Sequence, residues 1–195
     1  MTDRVKIVAT EELARNWGTL SKTTIDYRRR DGQVQRFDRE VYDHGNAAAM
    51  LLHDPGRDTV LMVRQFRYPA MRNGDDADML EACAGLLDGD APEIAAAREA
   101  LEETGHAPRD IRHVCDIYAS PGSLTEKVSL YIGTYDATTR RHAGGGIEAE
   151  GEEIEVVEIG FAAALAMVSS GAITDAKTVV LIQHLALLQA GLVPG

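Results

Sequence analysis

The chain has 195 residues, 45% of them hydrophobic, which is enough for one sizeable core with an extension but too little for two large independent domains. Its 31 acidic residues against 20 lysines and arginines give a formal net charge of -11, which disfavours a nucleic-acid surface or an anionic-membrane surface because phosphate would be repelled. Because no signal peptide begins at Met1 and no apolar run approaches the roughly 18 residues of a membrane span, we expect a cytoplasmic protein in which Cys83 and Cys115 are reduced.

The first 42 residues are mixed and polar, and they predict an antiparallel β extension that precedes a main domain over residues 43–195. Short alternating strands are expected at residues 23–27, 33–37 and 39–42, with a turn at residues 30–32. Trp17, the only tryptophan, lies before these strands. Its ring either packs locally, contacts a second subunit or stacks on a ligand base.

The rest of the chain predicts strands and helices in a mixed order, without the regular alternation that a doubly wound parallel sheet demands. Arg64 and Arg67 end one strand, where a guanidinium group would suit phosphate oxygens; the alternative is ordinary surface ion pairing. The polar residues 71–78 are expected to form a loop. Strands are expected at residues 47–52, 59–65, 79–84, 111–119, 127–135 and 154–159, and apolar helices at residues 161–168 and 178–189.

One helix is predicted with unusual clarity over residues 91–104. Asp90 followed by Glu93 three residues later is typical of an N-cap with its capping-box partner, and Pro92 suits the first turn. Gly105 is a typical C-terminal stop.

The faces of this helix carry different chemistry. Glu99 and Glu103 lie one turn apart, where like charges repel by a few tenths of a kcal/mol, and Glu102 adds a third carboxylate that Arg98 alone cannot neutralise. Such a group of hard oxygen atoms suits a divalent ion such as magnesium, but the spacing alone is equally compatible with a solvated acidic face. The expected apolar stripe is Ile94, Ala97 and Leu101.

A second acidic segment follows at residues 143–153, where three consecutive glycines precede acidic residues at 148, 150, 152 and 153. This composition predicts a mobile loop that brings a carboxylate to a site from outside; the alternative is a solvated surface loop. The glycines do not form the G-x-G-x-x-G pattern of a phosphate-binding loop.

Taken together, Arg98-Glu99, Glu102-Glu103 and Gly105 in the segment GLLDGDAPEIAAAREALEETG resemble the box of the Nudix hydrolase family. The segments REVYDHGNAA, VRQFR, EACAGLLD, SPGSLTE, GGGIEAE and DAKTV resemble the branch that acts on GDP-mannose and, more distantly, on ADP-ribose. The box departs from the general pattern by being one residue shorter between Gly85 and Arg98, and by having His106 where an apolar residue is usual.

The resemblance implies an α/β/α sandwich around a mixed sheet, with an N-terminal β extension exchanged across a homodimer. It implies Mg²⁺-dependent, or Mn²⁺-dependent, hydrolysis of a nucleoside diphosphate sugar, with GDP-mannose giving GMP and mannose 1-phosphate. The alternatives are hydrolysis of ADP-ribose to AMP and ribose 5-phosphate, or binding of a nucleotide sugar without cleavage.

The resemblance also implies site residues. The metal ligands would be the carbonyl of Ala84 and the carboxylates of Glu99, Glu103 and Glu152, with Glu102 as an outer or additional ligand. The catalytic loop carboxylate would be Glu150 or Glu152, with Glu152 favoured slightly. Substrate contacts from one subunit would be Arg67, Ala84, Gly85, Leu86, Glu103, Glu126 and Lys177, and those from the second subunit Trp17, Asp38, Arg39 and Glu40.

Overall fold

The computed structural model describes residues 3–147 and 153–194. It consists of two compact units, the first formed by Met1–Asn46 with Tyr118–Lys127 and the second by Ala47–Ile117 with Val128–Gly195. Among the described residues, no helix has the length and apolar character needed to cross a membrane. Cys83 and Cys115 are free thiols.

The first unit is built on a three-stranded antiparallel sheet of β1 (Val5–Arg15), β2 (Thr19–Arg28) and β3 (Val34–Asp43), in the order β1-β2-β3. The prediction of separate strands at 33–37 and 39–42 was wrong, because the strand continues through Asp38, whose carboxylate accepts a hydrogen bond of 2.6 Å from Thr24 on the neighbouring strand. The prediction also missed β1. That strand is exposed along its length and has no period-two apolar pattern to indicate it.

The second unit contains most of a seven-stranded mixed sheet with the order β10-β5-β4-β9-β8, in which β4 runs parallel to β9 and antiparallel to β5. Two short strands pair beside this path, β6 with β5 and β7 with β4. The strands are β4 (Ala47–Asp54), β5 (Thr59–Phe66), β6 (Asp78–Glu81), β7 (Cys83–Leu86), β8 (Arg109–Tyr118), β9 (Lys127–Thr134) and β10 (Ile154–Gly160).

Helices cover both faces of this sheet. They are α1 (Tyr68–Asn73), α2 (Pro92–Thr104), α3 (Phe161–Ser170) and α4 (Ala176–Gln189). Strand β4 is buried along its whole length because its alternate residues belong to two cores: one contains Leu51 with residues of α3 and α4, and the other contains Met50 with alanines of α2. The predicted α/β/α sandwich with a mixed sheet is therefore confirmed.

Two local predictions in this unit were wrong. The expected single strand at 79–84 is two strands, because Glu81 pairs with β5 whereas Cys83 pairs with β4. Between them, the backbone N–H of Ala82 donates to the hydroxyl of Thr178 on α4 at 2.7 Å. The expected polar loop begins as helix α1, which ends at Gly74 in the left-handed conformation.

Candidate active site

Helix α2 begins one residue later than its sequence indicates. Its N-cap is Ala91 and no side chain caps it, so the prediction of Asp90 as the N-cap was wrong. The carboxylate of Asp90 instead lies 3.5 Å from the guanidinium of Arg98. Because Pro92 in the first turn lacks an N–H, the helix start has one donor fewer that needs a cap.

The face of α2 that contacts the sheet carries small residues and carboxylates, not the predicted stripe. Ile94 is 60% exposed, so that prediction was wrong. Glu99 and Glu103 retain only 9% and 2% of their exposure, which excludes a solvated acidic face for these two residues. The buried residues of the helix are Ala95, Ala96, Glu99, Ala100, Glu103 and Thr104. The short alanine side chains allow a close approach of helix and sheet, and this approach brings both carboxylates against β7.

The carboxylate of Glu99 packs directly on Gly85 of β7. A β-carbon at residue 85 would overlap the carboxyl carbon and both oxygens of Glu99, so the contact requires glycine. Arg98 fixes this arrangement from the side, because its guanidinium donates to Glu99 Oε1 at 2.7 Å and to the carbonyl of Leu86 at 3.1 Å. It also lies 3.5 Å from Glu102. Arg98 therefore ties the helix to the strand.

Glu103 meets the fully buried thiol of Cys83, which also lies on β7. Burial, followed by the charge of Glu103 and a hydrogen bond to it, raises the pKa of the Cys83 thiol well above its usual value. The thiol is therefore neutral and serves as a weak hydrogen-bond donor beside the carboxylate.

A second group of charges in the same unit contains two residues predicted to contact substrate. Arg67 donates from Nε and Nη2 to the two oxygens of Glu81, at 2.8 and 3.2 Å. Lys177 donates to the same carboxylate and, at 3.0 Å, to Asp175. Burial, the largest effect, would lower the pKa of Arg67. The hydrogen bonds and the charge of Glu81 raise the pKa above its usual value, and the charge of Glu103 adds to this rise. This group is thus electrostatically coupled to helix α2.

The glycines of the acidic loop dock on the C-terminal end of α2. The N–H of Gly145 donates to the carbonyl of Glu103 at 2.8 Å, and the N–H of Gly146 donates to that of Glu102 at 3.3 Å. A β-carbon on Gly144 would overlap the helix backbone at residues 103 and 104. This part of the predicted mobile loop therefore caps the helix. Glu150 and Glu152 lie outside the described residues.

The remaining predicted contacts belong to the first unit. Trp17 is 70% exposed and stacks on His44 with 4.7 Å between ring centroids. Glu40 pairs in register with Lys22, and the backbone carbonyl of Glu126 accepts from Ala119. The guanidinium of Arg39 lies 4.1 Å from the ring centre of Phe37. Arg39 lines an open groove of about 560 Å³ together with Arg4, Tyr27, Arg29, Arg30, Asp31, Gln35 and Phe37.

Comparison with known proteins identifies the family. Residues 4–42 match the profile described as the GDP-mannose pyrophosphatase NudK N-terminal domain, and residues 43–179 match the profile of the NUDIX domain. The chain belongs to the Nudix family. This Nudix hydrolase is 46% identical over 188 residues to a GDP-mannose pyrophosphatase of Cronobacter sakazakii, covering 96% of the chain and 97% of the relative. It is 43% identical over 186 residues to a GDP-mannose pyrophosphatase of Escherichia coli O1:K1, covering 95% and 96%.

A solved structure supports the fold independently. The structure described as the crystal structure of ADP compounds hydrolase superposes with a TM-score of 0.74 at 16% identity, covering 99% of each chain. At this identity, the likeness concerns the fold alone. Family membership makes the protein a pyrophosphatase-type hydrolase, and Nudix hydrolases generally need a divalent metal ion.

The donors that this Nudix hydrolase presents fit such an ion. Glu99 and Glu103 supply buried carboxylates, and β7 supplies the carbonyl of Ala84 immediately before Gly85. All three are hard oxygen donors. Within residues 3–147 and 153–194, no three acidic, histidine or cysteine side chains form a metal cluster. The fit therefore rests on two side chains and a backbone carbonyl, and the proposed third side chain belongs to the acidic loop.

Sequence reasoning missed three residues of the site: Glu81, Cys83 and Asp175. Glu81 is a single charge within the apolar segment MLEACAGLL, and an unexplained charge in a buried strand is a usable signal. Asp175 precedes helix α4 and accepts from the backbone N–H of Thr178, a capping spacing that the sequence displays. Nothing in the sequence indicates that Cys83 faces Glu103.

Proposed function

We propose that this Nudix hydrolase cleaves the diphosphate of a nucleoside diphosphate sugar, with GDP-mannose as the preferred substrate and GMP and mannose 1-phosphate as products. The observation that carries the proposal is the pair of buried carboxylates, Glu99 and Glu103, which α2 holds against β7 within the Nudix box. The substrate preference is supported by the match of residues 4–42 and by the names of the relatives.

The metal in this proposal is Mg²⁺, with Mn²⁺ as a possible substitute, held by the Ala84 carbonyl, Glu99, Glu103 and the loop residue Glu152. When bound, the metal neutralises charge on the diphosphate, which a protein of net charge -11 would otherwise repel. Arg98 holds the Glu99 carboxylate in place through its 2.7 Å hydrogen bond, and Gly85 leaves the space that this carboxylate needs.

The other residues bind the substrate and move the proton. Arg67 and Lys177 hold phosphate oxygens, because a guanidinium and an ammonium group offer several N–H donors to an anion. Glu152, or alternatively Glu150, accepts a proton from the water that attacks phosphorus in line with the leaving phosphate oxygen. The backbone of residues 84–86 and the side chain of Glu126 line the substrate.

The proposal includes a cytoplasmic homodimer whose second subunit contributes Trp17, Asp38, Arg39 and Glu40. Its support is the exposed apolar surface of β1, where Ile7 is 54% and Val8 is 42% exposed, because exposed apolar patches often mark an interface with another protein. Complementation tests it: Trp17→Ala and Glu103→Gln, each poorly active alone, should regain activity when their subunits are mixed. Mixing that restores no activity in a verified heterodimer contradicts sharing of the site.

The function is tested by incubating the purified protein with Mg²⁺ and a panel of nucleotide sugars, with products separated by ion-exchange chromatography. We expect the highest kcat/KM with GDP-mannose and release of GMP. Turnover of ADP-ribose alone would contradict the substrate while retaining the reaction class. Binding of GDP-mannose without turnover at any metal concentration would instead indicate a nucleotide-sugar sensor. Glu103→Gln serves as the control for contaminating hydrolases.

A further inference from the structure

Three separated parts of the chain meet at the carboxylate of Glu81. Glu81 ends strand β6 and is 3% exposed. Arg67 follows strand β5 and is the N-cap residue of α1, and Lys177 is the second residue of α4. Both cations donate to Glu81. One buried carboxylate therefore determines where two cationic side chains lie.

Asp175 constrains Lys177 from a second side. It accepts from the ammonium group at 3.0 Å, while its other oxygen accepts from the backbone N–H of Thr178 at 3.0 Å. Asp175 thereby acts as the N-cap of α4 and as a fixed anchor for the lysine. Since Thr178 in turn accepts from Ala82, the anchor is linked to the backbone immediately after Glu81.

The exposure of the two cations shows which way the group opens. The side chain of Glu81 is 4% exposed and that of Lys177 is 15% exposed, whereas that of Arg67 is 38% exposed. Glu81 engages Arg67 through Nε and Nη2, so the Nη1 donors of this arginine are not used by Glu81. The carboxylate therefore lies at the base of the group, and the group opens to solvent on the side of Arg67.

Glu81, Lys177 and Arg67 all keep their charge at neutral pH. Burial would raise the pKa of Glu81, but the charges of Lys177 and Arg67 outweigh burial and lower it. Burial likewise opposes the charge on Lys177, yet Glu81 and Asp175 raise its pKa. The group contains two cations and two carboxylates, so its formal charges cancel. The charge of Glu103 additionally raises the pKa of Arg67, the most exposed member.

We propose that Glu81 is a positioning residue that holds Arg67 and Lys177 side by side as a preformed clamp for a substrate phosphate group. Glu81 itself does not touch the substrate. The inference rests on the proposed function for the identity of the ligand. Its physical basis is that two like charges would otherwise repel and move apart into water, and ordering them again on binding would cost affinity.

Kinetics of Glu81→Gln and Glu81→Asp test the clamp. We expect Glu81→Gln to raise KM about tenfold or more while kcat changes less, because binding is lost more than chemistry. Glu81→Asp keeps the charge and should recover part of the loss. Glu158→Gln is the matched control, since Glu158 pairs with Arg57 through two hydrogen bonds on β10 of the same sheet.

An equal KM in Glu81→Gln and Glu158→Gln would overturn the proposal. A large loss of kcat at unchanged KM would also overturn it, because Glu81 would then act in the chemical step. If Glu81→Gln does not fold, Glu81→Asp decides: a KM raised above that of the control supports a clamp that depends on carboxylate position, and an unchanged KM overturns it.

A second measurement does not depend on turnover. Isothermal titration calorimetry without metal follows the binding of inorganic pyrophosphate to the unmodified protein. The dissociation constant should rise about tenfold in Glu81→Gln and stay close to that of the wild type in Glu158→Gln. Equal titrations overturn the clamp, whereas failure to hydrolyse any nucleotide sugar affects only the proposed function.

Discussion

The carboxylate of Glu99 occupies the space next to the α-carbon of Gly85 that the β-carbon of any other residue would fill. Gly85→Ala should therefore displace the proposed metal ligand. We expect kcat to fall about 100-fold, because small displacements of reacting groups have effects of this size. Overpacking should also destabilise the fold by about 1–3 kcal/mol. Steady-state kinetics and thermal unfolding measure the two effects.

Gly160→Ala is the control for Gly85→Ala, because a β-carbon at residue 160 would have no other atom within 4 Å and the backbone φ is -58°. It should keep its activity. Activity of Gly85→Ala equal to that of this control would show that the position of Glu99 is unimportant.

Glu103→Gln should abolish the stabilisation of the protein by divalent ions. Binding of an ion to the folded state alone raises the free energy of unfolding, by about 2.7 kcal/mol at 100 times its dissociation constant. We expect Mg²⁺ to raise the Tm of the wild type and to leave that of Glu103→Gln unchanged. The control is Glu93→Gln, a residue in the first turn of the same helix. An equal Mg²⁺-dependent rise in Glu103→Gln and the wild type would contradict the metal assignment.

Replacing each of the two loop glutamates by glutamine in turn should identify the catalytic carboxylate. Of Glu150→Gln and Glu152→Gln, one should lose kcat by a factor of about 100 or more and the other should change little, because one general base acts in the reaction. We expect the larger loss in Glu152→Gln. The reverse order would assign the role to Glu150, and small losses in both would remove the loop from the chemistry.

Acid should weaken the contribution of Glu81 to stability. Its pKa is lower in the folded state than the ordinary value of about 4.3, so its stabilisation is complete above that value and is lost as the pH falls through the folded pKa. At pH 7, Glu81→Gln should lower the free energy of unfolding by about 3 kcal/mol, the low end for a buried pair because Arg67 retains contact with water.

Urea unfolding from pH 7 to pH 3 measures this difference. The difference in free energy of unfolding between wild type and Glu81→Gln should narrow below about pH 4, where Glu81 begins to bind a proton in the unfolded chain while it is still charged in the folded one. A difference in free energy of unfolding that stays constant from pH 7 to pH 3 would mean that the charge of Glu81 contributes nothing to the stability of the fold.

The sequence predicted the parts of the site that depend on residues close together in the chain. Pro92 and Gly105 indicated the helix correctly, whereas the spacing of Glu99 and Glu103 alone was equally compatible with a solvated acidic face, and the metal site was expected only from the resemblance of the whole box to a known family. The same local reasoning failed at Asp90, where Arg98, eight residues away, lies near the carboxylate that was expected to cap the helix. A distant partner can thus override a local preference.

Residues joined only by the tertiary fold could not be assigned from the chain alone. Glu81 and Lys177 are 96 positions apart, and their contact depends on α4 beginning beside the end of β6. Likewise, the sequence does not show that Gly85 leaves space for the carboxylate of Glu99, because this contact exists only once helix α2 is packed on β7. The alanine-rich face of α2 could have indicated such close packing, but Ile94 and Leu101 supplied the stronger apolar signal.

The hydrogen bonds from Gly145 and Gly146 to the carbonyls of Glu103 and Glu102 attach the start of the acidic segment to helix α2. The same helix carries both proposed metal ligands, so the point at which the segment leaves the helix is fixed relative to Glu99 and Glu103. A substitution that shifts α2 on β7 would therefore move this attachment point together with the two carboxylates, and a single change in packing would disturb both halves of the proposed site.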